Sequence, residues 1–564
     1  MKKIPLYDVR EIRDLKDMLR QSVQLYKDKP AFMIKPEKGG AYYNKSFETF
    51  GKDVDALGTA LIDLIGQDSR VAILAESRYE WYVSYMSVVN GVGIVVPIDK
   101  ELHHDEIASL LNRSRVNCVI YSSAKQDVLD QISDQISGVK YKICMDAGEL
   151  SFADMLENGK KLLDEGDDRY LSVEINPDIM SILLFTSGTT AKSKAVMLSH
   201  KNICANLMDM CSMKYIAPED IFLSVLPLHH TYECTCGFLC PVYRGATIAQ
   251  CEGLRYITKN MQESKTTIML VVPLMLEMFH RAIMKKAKAD PKSTRKFMFA
   301  VSLSRFLGKL RIDVRKKLFH QVHDNFGGEL STLVCGGASI NPQIMADMRD
   351  LGFCAIQGYG LTECAPILAL NRDVDFNDAA AGLALPHCDV KVIDKDSDGI
   401  GEIIGKGPNI MLGYYEDEEG TADAIDQDQY YHTGDLGFID QEGFVFITGR
   451  KKNVIIGKNG KNIFPEEIES LISELELVSE VLVSGVDDPT GDVVITAEIF
   501  PNQDIVESIL GKNPDKKEIT DLLEQEIKKI NSRLVSYKAV RTVLYRDVEF
   551  EKTTSKKIKR NYSK

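Results

Sequence analysis

Apolar positions along the chain fall into short runs separated by stretches with helical spacing, the alternation expected of an α/β fold. SILLF (181–185) runs into a loop of Thr, Ser and Gly. STLVCGG (331–337) and FCAIQGYG (353–360) are two further predicted strands, both ending in glycines. In parallel α/β sheets, ligand sites gather at the carboxyl ends of strands, so these three junctions are the first places to look for chemistry. Beyond QEGFVFITGRKKNVIIGKNG, which is rich in Gly, Lys and Asn, the pattern changes. FPEEIESLISEL (464–475) predicts a helix, and SEVLVSG and VVITAEIF predict strands. From Lys517 to Leu534, the residues Ile519, Leu522, Leu523, Ile527, Ile530 and Leu534 share one helical face. The expected division is a large domain over 1–450 and a small one over 451–564, with the boundary at 450–452.

Composition narrows the function. The chain has 564 residues, 44% of them hydrophobic and 27% charged, the profile of a multidomain globular protein. A formal net charge of −13 argues against a nucleic-acid partner. Twelve cysteines include the group Cys234, Cys236 and Cys240 but no paired metal-ligand spacing, so buried reduced thiols are expected. The start, MKKIPLYDVREIRDLKDML, has no apolar signal core, and the longest apolar run, Ile268 to Leu276, is interrupted by Pro273. The expectation is a cytoplasmic protein without transmembrane helices.

The segment FTSGTTAKSKAV (185–196) carries the most chemistry. Hydroxyls of Thr186, Ser187, Thr189 and Thr190 surround Gly188, with the ammonium groups of Lys192 and Lys194 close behind. Closely spaced donors, approachable backbone amides and cations are what a polyphosphate requires. The pattern is not the P-loop of kinases and GTPases, which would need Gly at Ser193 and Ser or Thr at Ala195.

This loop resembles the phosphate loop of the adenylate-forming superfamily, which includes acyl-CoA synthetases, luciferases and the adenylation domains of peptide synthetases. Ala191 and Ala195 stand where glycines are usual there, and Ser193 where proline is usual. QGYGLTE (357–363) matches the family's second core motif without departure. The resemblance implies a tight backbone at Gly358 and Gly360, Tyr359 stacked on adenine, Thr362 at the α-phosphate or acyl carboxylate, and Glu363 holding Mg²⁺ together with Thr186. CGGAS (335–339), with Gly337 and Ala338, resembles the loop lining the adenine and acyl pockets. YHTGDLG (431–437) matches the ribose-binding motif: Asp435 can accept two hydroxyls, and Arg450 of GRKKN (449–453) is the expected second contact. PLHHTYE (227–233) resembles the segment whose histidine, here His230, gates the acyl pocket, and EKTTSKKIKR (551–560) the closing motif, with Lys557 as the adenylation lysine. The superfamily's architecture implies a large domain of stacked α/β sheets with a small barrel-like subdomain, and a small mobile α+β domain pivoting at Lys452. The implied substrates are a carboxylic acid, ATP and coenzyme A, with Mg²⁺ as cofactor.

VPLMLEMF (272–279) resembles a segment of long-chain fatty acyl-CoA synthetases. The stretch after it, 281–320, holds thirteen Lys or Arg against two Asp, interleaved with Phe297, Phe299, Phe306, Leu307 and Leu310. Such a segment suits an anionic membrane surface, adding peripheral membrane contact to the candidate partners; a solvated basic helix is the alternative. Three readings stand: a long-chain acyl-CoA ligase; a ligase for another acid, aryl or bile-acid-like, or for an acyl carrier protein; and a non-catalytic nucleotide- or acyl-binding relative.

Overall fold

The computed structural model describes residues 4–186, 193–310, 312–456, 462–487, 493–552 and 558–560. The chain forms two compact units. The first takes the residues up to Val390 with Gly405–Tyr431 and Gln441–Val445; the second takes Lys391–Ile404, His432–Asp440 and the chain from Phe446 onward. Residues 450–452 lie inside the second unit.

The first unit is α/β. One sheet of seven strands runs in the order Gly413–Tyr414, Lys194–Ser199, Met180–Thr186, Gly93–Pro97, Ser69–Leu74, Cys118–Tyr121 and Tyr141–Cys144. A second sheet sets Thr332–Cys335 between Ile268–Val271 and Cys354–Gly360, all parallel, and adds Ile367–Leu370 and Gly382–Ala384 antiparallel. The predicted strands over 181–185, 331–337 and 353–360 are therefore present, and the last two are neighbours. The main core draws on both sheets and the helices that cover them: Phe32, Ile248 and Ile356 share one buried cluster with Val71, Val95 and Ile182. Helix Phe47–Ile65 shows how the pattern dictates this. Ser46 caps it by accepting from the Thr49 amide, and Phe47, Phe50, Val54, Leu57 and Leu61 are buried.

The second unit has a core of its own. Strand Val493–Pro501 pairs antiparallel with Val478–Asp487 and parallel with Thr542–Tyr545. Helix Lys516–Asn531 starts on a capping box of Asp515 and Glu518 and buries Ile519, Leu523, Ile527 and Ile530 against this sheet's cluster, as the spacing predicts. No helix among the described residues is long and apolar enough to cross a membrane. The twelve cysteines are free thiols, with Cys234, Cys236 and Cys240 buried.

Candidate active site

In the first unit, strand Met180–Thr186 and strand Lys194–Ser199 are antiparallel, with Thr186 opposite Lys194. The phosphate loop is thus the connection of a hairpin rather than a strand-to-helix turn. Ser187, Gly188, Thr189, Thr190, Ala191 and Lys192 lie outside the described residues. The loop's exit is fixed by a residue the sequence did not single out: Arg113 donates to the Ser193 carbonyl at 2.9 Å, and its guanidinium lies over Phe185. Thr186 and Lys194 are half-buried at the two ends.

QGYGLTE leaves its sheet at Gly360, opposite Ile367. A Cβ at Gly360 would lie 1.8 Å from the Pro366 carbonyl oxygen, so the motif's second glycine is required by close backbone approach. Tyr359 and Thr362 are half-buried, and Glu363 is buried at 8% exposure. The Tyr414 hydroxyl donates to Glu363 Oε1 at 3.0 Å, and the Lys194 ammonium sits 4.2 Å from the centre of the Tyr414 ring. Tyr431 in turn donates its hydroxyl to that of Tyr414. Two separate motifs, the phosphate-loop lysine and the magnesium-candidate glutamate, therefore meet on one tyrosine. Tyr414 lies in none of the motifs that the sequence offers.

Gly337 has φ of 89° at the end of strand Thr332–Cys335, with Ala338 exposed beside it. Tyr232 packs under this loop: its ring lies 3.0 Å from where a Gly336 Cβ would be, and its hydroxyl donates to the Val334 carbonyl at 2.8 Å. His230 is half-buried and its ring lies 4.3 Å from that of His229, whose Nε2 is 3.4 Å from Asp99. The neighbouring Glu233 is fully sequestered. Burial pushes its carboxyl up to about 8, although the Ser224 hydroxyl donates to it at 2.6 Å.

In the second unit, Arg450 Nε meets Asp435 Oδ1 at 2.7 Å, with Asp435 buried and Arg450 half out. Thr433 fixes the approach, its hydroxyl accepting from the Asp435 amide and donating to the Ile403 carbonyl. Lys452 is exposed in a single turn, Lys451–Asn453, beside the buried Asn453. Lys557 lies outside the described residues. The described residues flanking it are tied down: Lys552 bridges to Ile558, and Arg560 grips both carboxylate oxygens of Glu469 at 2.6 and 2.5 Å and the Val483 carbonyl at 3.0 Å.

A model of AMP-binding enzymes matches residues 19–415, and one of the AMP-binding enzyme C-terminal domain matches 452–563. The chain belongs to the AMP-binding enzyme family. Within this family it is similar to long-chain-fatty-acid–CoA ligase 6 of Mus musculus, 28% identical over 80% of this chain and 69% of the relative. It is also similar to a long-chain-fatty-acid–CoA ligase of Escherichia coli O157:H7, 26% identical over 97% of this chain and 93% of the relative. Among solved structures, o-succinylbenzoate CoA synthetase of Bacillus subtilis, in complex with its acyl-adenylate intermediate, has the same fold. Its TM-score is 0.71 at 21% identity, over 96% of both chains. The chain is thus an adenylate-forming superfamily member that resembles long-chain acyl-CoA synthetases. Its fold carries a large N-terminal domain with sheets and a smaller C-terminal domain.

Proposed function

We propose that the protein is an ATP-dependent acid–thiol ligase that activates a carboxylic acid as an acyl-adenylate and transfers the acyl group to coenzyme A, the acid being a long-chain fatty acid. The observation that carries this reading is the convergence of Lys194 and Glu363 on Tyr414, in a chain that is similar to long-chain-fatty-acid–CoA ligases. In the first half-reaction the acid's carboxylate oxygen attacks the α-phosphorus of ATP and pyrophosphate leaves. In the second, the thiol of coenzyme A attacks the acyl carbon, AMP leaves, and the thiol proton is released. The main obstacle to the first step is bringing two anions together, so positioning and positive charge do most of the work.

The donor chemistry fits a magnesium–nucleotide pair. Glu363 and Thr186 offer hard oxygen ligands of the kind Mg²⁺ takes, and Glu363 is a carboxylate kept in a buried place where an ion would neutralise it. Bound there, Mg²⁺ would supply charge at the phosphates. Lys194 then faces the polyphosphate, Tyr359 the adenine, and Thr362 the reacting carboxylate or α-phosphate. Gly358 and Gly360 keep the motif's backbone tight against its own sheet, and Gly337 and Ala338 border the adenine and acyl groups. Asp435 and Arg450 take the ribose, His230 borders the acyl pocket, and Lys557 neutralises the charge that builds during adenylation.

A second reading, an aryl acid as substrate, draws on the o-succinylbenzoate synthetase fold match, and a carrier protein could replace coenzyme A as acceptor. A screen of coenzyme-A-dependent AMP release over acids of graded length and ring content tests all of these. Release that peaks on long alkyl chains is expected. A peak on aryl acids would make the substrate an aryl acid, and no release with any acid would leave a nucleotide- or acyl-binding relative.

A further inference from the structure

Tyr414 does not belong to any of the motifs that announced the site, yet it touches two of them. It is 5% exposed and lies on the two-residue strand Gly413–Tyr414, at the edge of the seven-stranded sheet. That strand pairs with Lys194–Ser199, Tyr414 facing Val196. The Tyr415 amide donates to the Ala195 carbonyl at 2.8 Å and the Leu412 amide to the Met197 carbonyl at 3.0 Å. Tyr414 is therefore in fixed register with the strand that begins at Lys194. From the other side, the Met411 amide donates to the Glu363 carbonyl at 2.8 Å, so the same segment is also tied to the backbone of QGYGLTE. Gly413, at φ of 136° and with Thr421 Cγ2 2.8 Å from where a Cβ would stand, makes the approach possible.

We propose that Tyr414 is a positioning residue that sets Glu363 and Lys194 for a magnesium–nucleotide, with Tyr431 fixing it from behind. The proposal rests on the reading above of Glu363 as the magnesium ligand. The physical argument has two parts. A carboxylate has two acceptor oxygens, and the hydroxyl on Oε1 fixes the plane and rotation of the group, which directs the lone pairs of Oε2. Partners of this kind hold a metal ligand in its binding orientation, and their loss typically weakens metal affinity about 10–100-fold. The ring performs a separate task. A cation within about 6 Å of an aromatic face is attracted to it, and at 4.2 Å the Tyr414 ring gives the flexible lysine side chain a seat next to the same carboxylate. Tyr431, 4% exposed, hydrogen-bonds the Tyr414 hydroxyl; because the Tyr414 proton goes to Glu363, Tyr431 is the donor of that pair and holds Tyr414 from behind.

Hydroxyl and ring can be separated by substitution. ATP affinity is measured by calorimetry with saturating Mg²⁺ and again with a chelator, without acid or coenzyme A, so that no turnover is required. The ratio of the two dissociation constants reports the coupling between metal and nucleotide. Tyr414→Phe keeps the ring and loses the hydroxyl. It should shrink the ratio about tenfold, chiefly through the affinity measured with Mg²⁺. Tyr414→Leu removes both and should also weaken metal-free ATP binding by loosening Lys194. Tyr431→Phe should shift the ratio in the same direction by less. Thermal melts and circular dichroism confirm that each variant is folded; Tyr431→Phe carries the test if Tyr414→Phe is not. A wild-type ratio in folded Tyr414→Phe, or in Tyr431→Phe where that variant stands in for it, overturns the proposal. Glu363→Gln separates that failure from failure of the underlying reading. If Glu363→Gln abolishes the coupling while Tyr414→Phe keeps it, only the role of Tyr414 falls. If Glu363→Gln leaves the coupling intact, the magnesium assignment falls and the proposal with it.

Discussion

At Glu233, a residue buried on every side, the sequence pointed three positions away. PLHHTYE drew attention to His230, because a histidine in that segment has a role in the resembling family, while Glu233 counted only as the end of the pattern. The structure gives Glu233 its own physics. Its Oε1 accepts from Ser224, which also accepts from the Tyr82 hydroxyl at 3.0 Å, and burial raises its carboxyl to about 8. The stability consequence has a definite sign. Below the ordinary carboxylate range, near 4.5, folded and unfolded chains both hold the proton. Between there and about 8 the unfolded chain gives it up while the folded chain keeps it, so stability falls as pH rises through that window. The full loss is on the order of a few kcal/mol. Glu233→Gln imitates the protonated acid at every pH. Urea midpoints measured from pH 5 to 8.5 should decline for the wild type and decline less for Glu233→Gln; parallel curves would mean that Glu233 does not titrate in this range. Tyr414 makes the same point about legibility. The residues it joins are 220 and 51 positions away in sequence, and proximity of that kind is created by strand pairing, which no local pattern carries.

Among the elements, those with strong periodicity were readable and those whose order depends on partners were not. The helix over 517–534 could be placed because an amphipathic face of Ile and Leu has one way to be buried, against the sheet of the second unit. That the phosphate loop joins two antiparallel strands was not readable, because KAVMLS after the loop fits a strand of either direction. The closing I-K-R is similar: its charge reads as a basic tail, whereas Arg560 is pinned on the half-buried Glu469, whose carboxyl burial pushes up to about 7. The basic stretch was legible both as charge and as interleaved apolar residues, and the structure adds which of those face solvent. Over helices Pro273–Ala287 and Pro291–Lys309 and the turn beyond, Met278, Met298, Phe299, Phe306, Leu310 and Ile312 are exposed. Large apolar side chains among many cations suit an anionic lipid surface, where each basic residue near the headgroups contributes about 1 kcal/mol and the rings insert. Cosedimentation with phosphatidylserine vesicles should be strong at low salt and weaker at high salt, and Phe299→Ser with Phe306→Ser should reduce it at all salt levels. No vesicle binding, or binding that does not respond to salt, would make the segment a solvated basic helix.

On the scale of the whole molecule, the proposed chemistry asks for two different electrostatic settings in succession, and the region from residue 452 onward, which matches the AMP-binding enzyme C-terminal domain, has a hydrophobic core of its own. During adenylation, negative charge builds between carboxylate, α-phosphate and leaving pyrophosphate, and a lysine is valuable there. During thiol attack that charge has gone, and the same lysine is not needed. Removing one such donor typically costs about 10²–10³-fold in rate. Lys557→Ala should therefore cripple pyrophosphate release from ATP and acid, yet still convert supplied acyl-adenylate and coenzyme A into thioester. Lys452 stands in an exposed single turn at the start of the matched C-terminal region, where a backbone pivot would be expected. Proline there fixes φ and restricts the residue before it, so Lys452→Pro should allow acyl-adenylate to form and stall before thioester. The two variants are best assayed side by side, with pyrophosphate release reporting the first step and thioester from synthetic adenylate the second. Opposite losses in the two variants would tie the two steps to two settings of the C-terminal unit. Equal losses of both steps in both variants would leave a ligase that performs both reactions in a single arrangement.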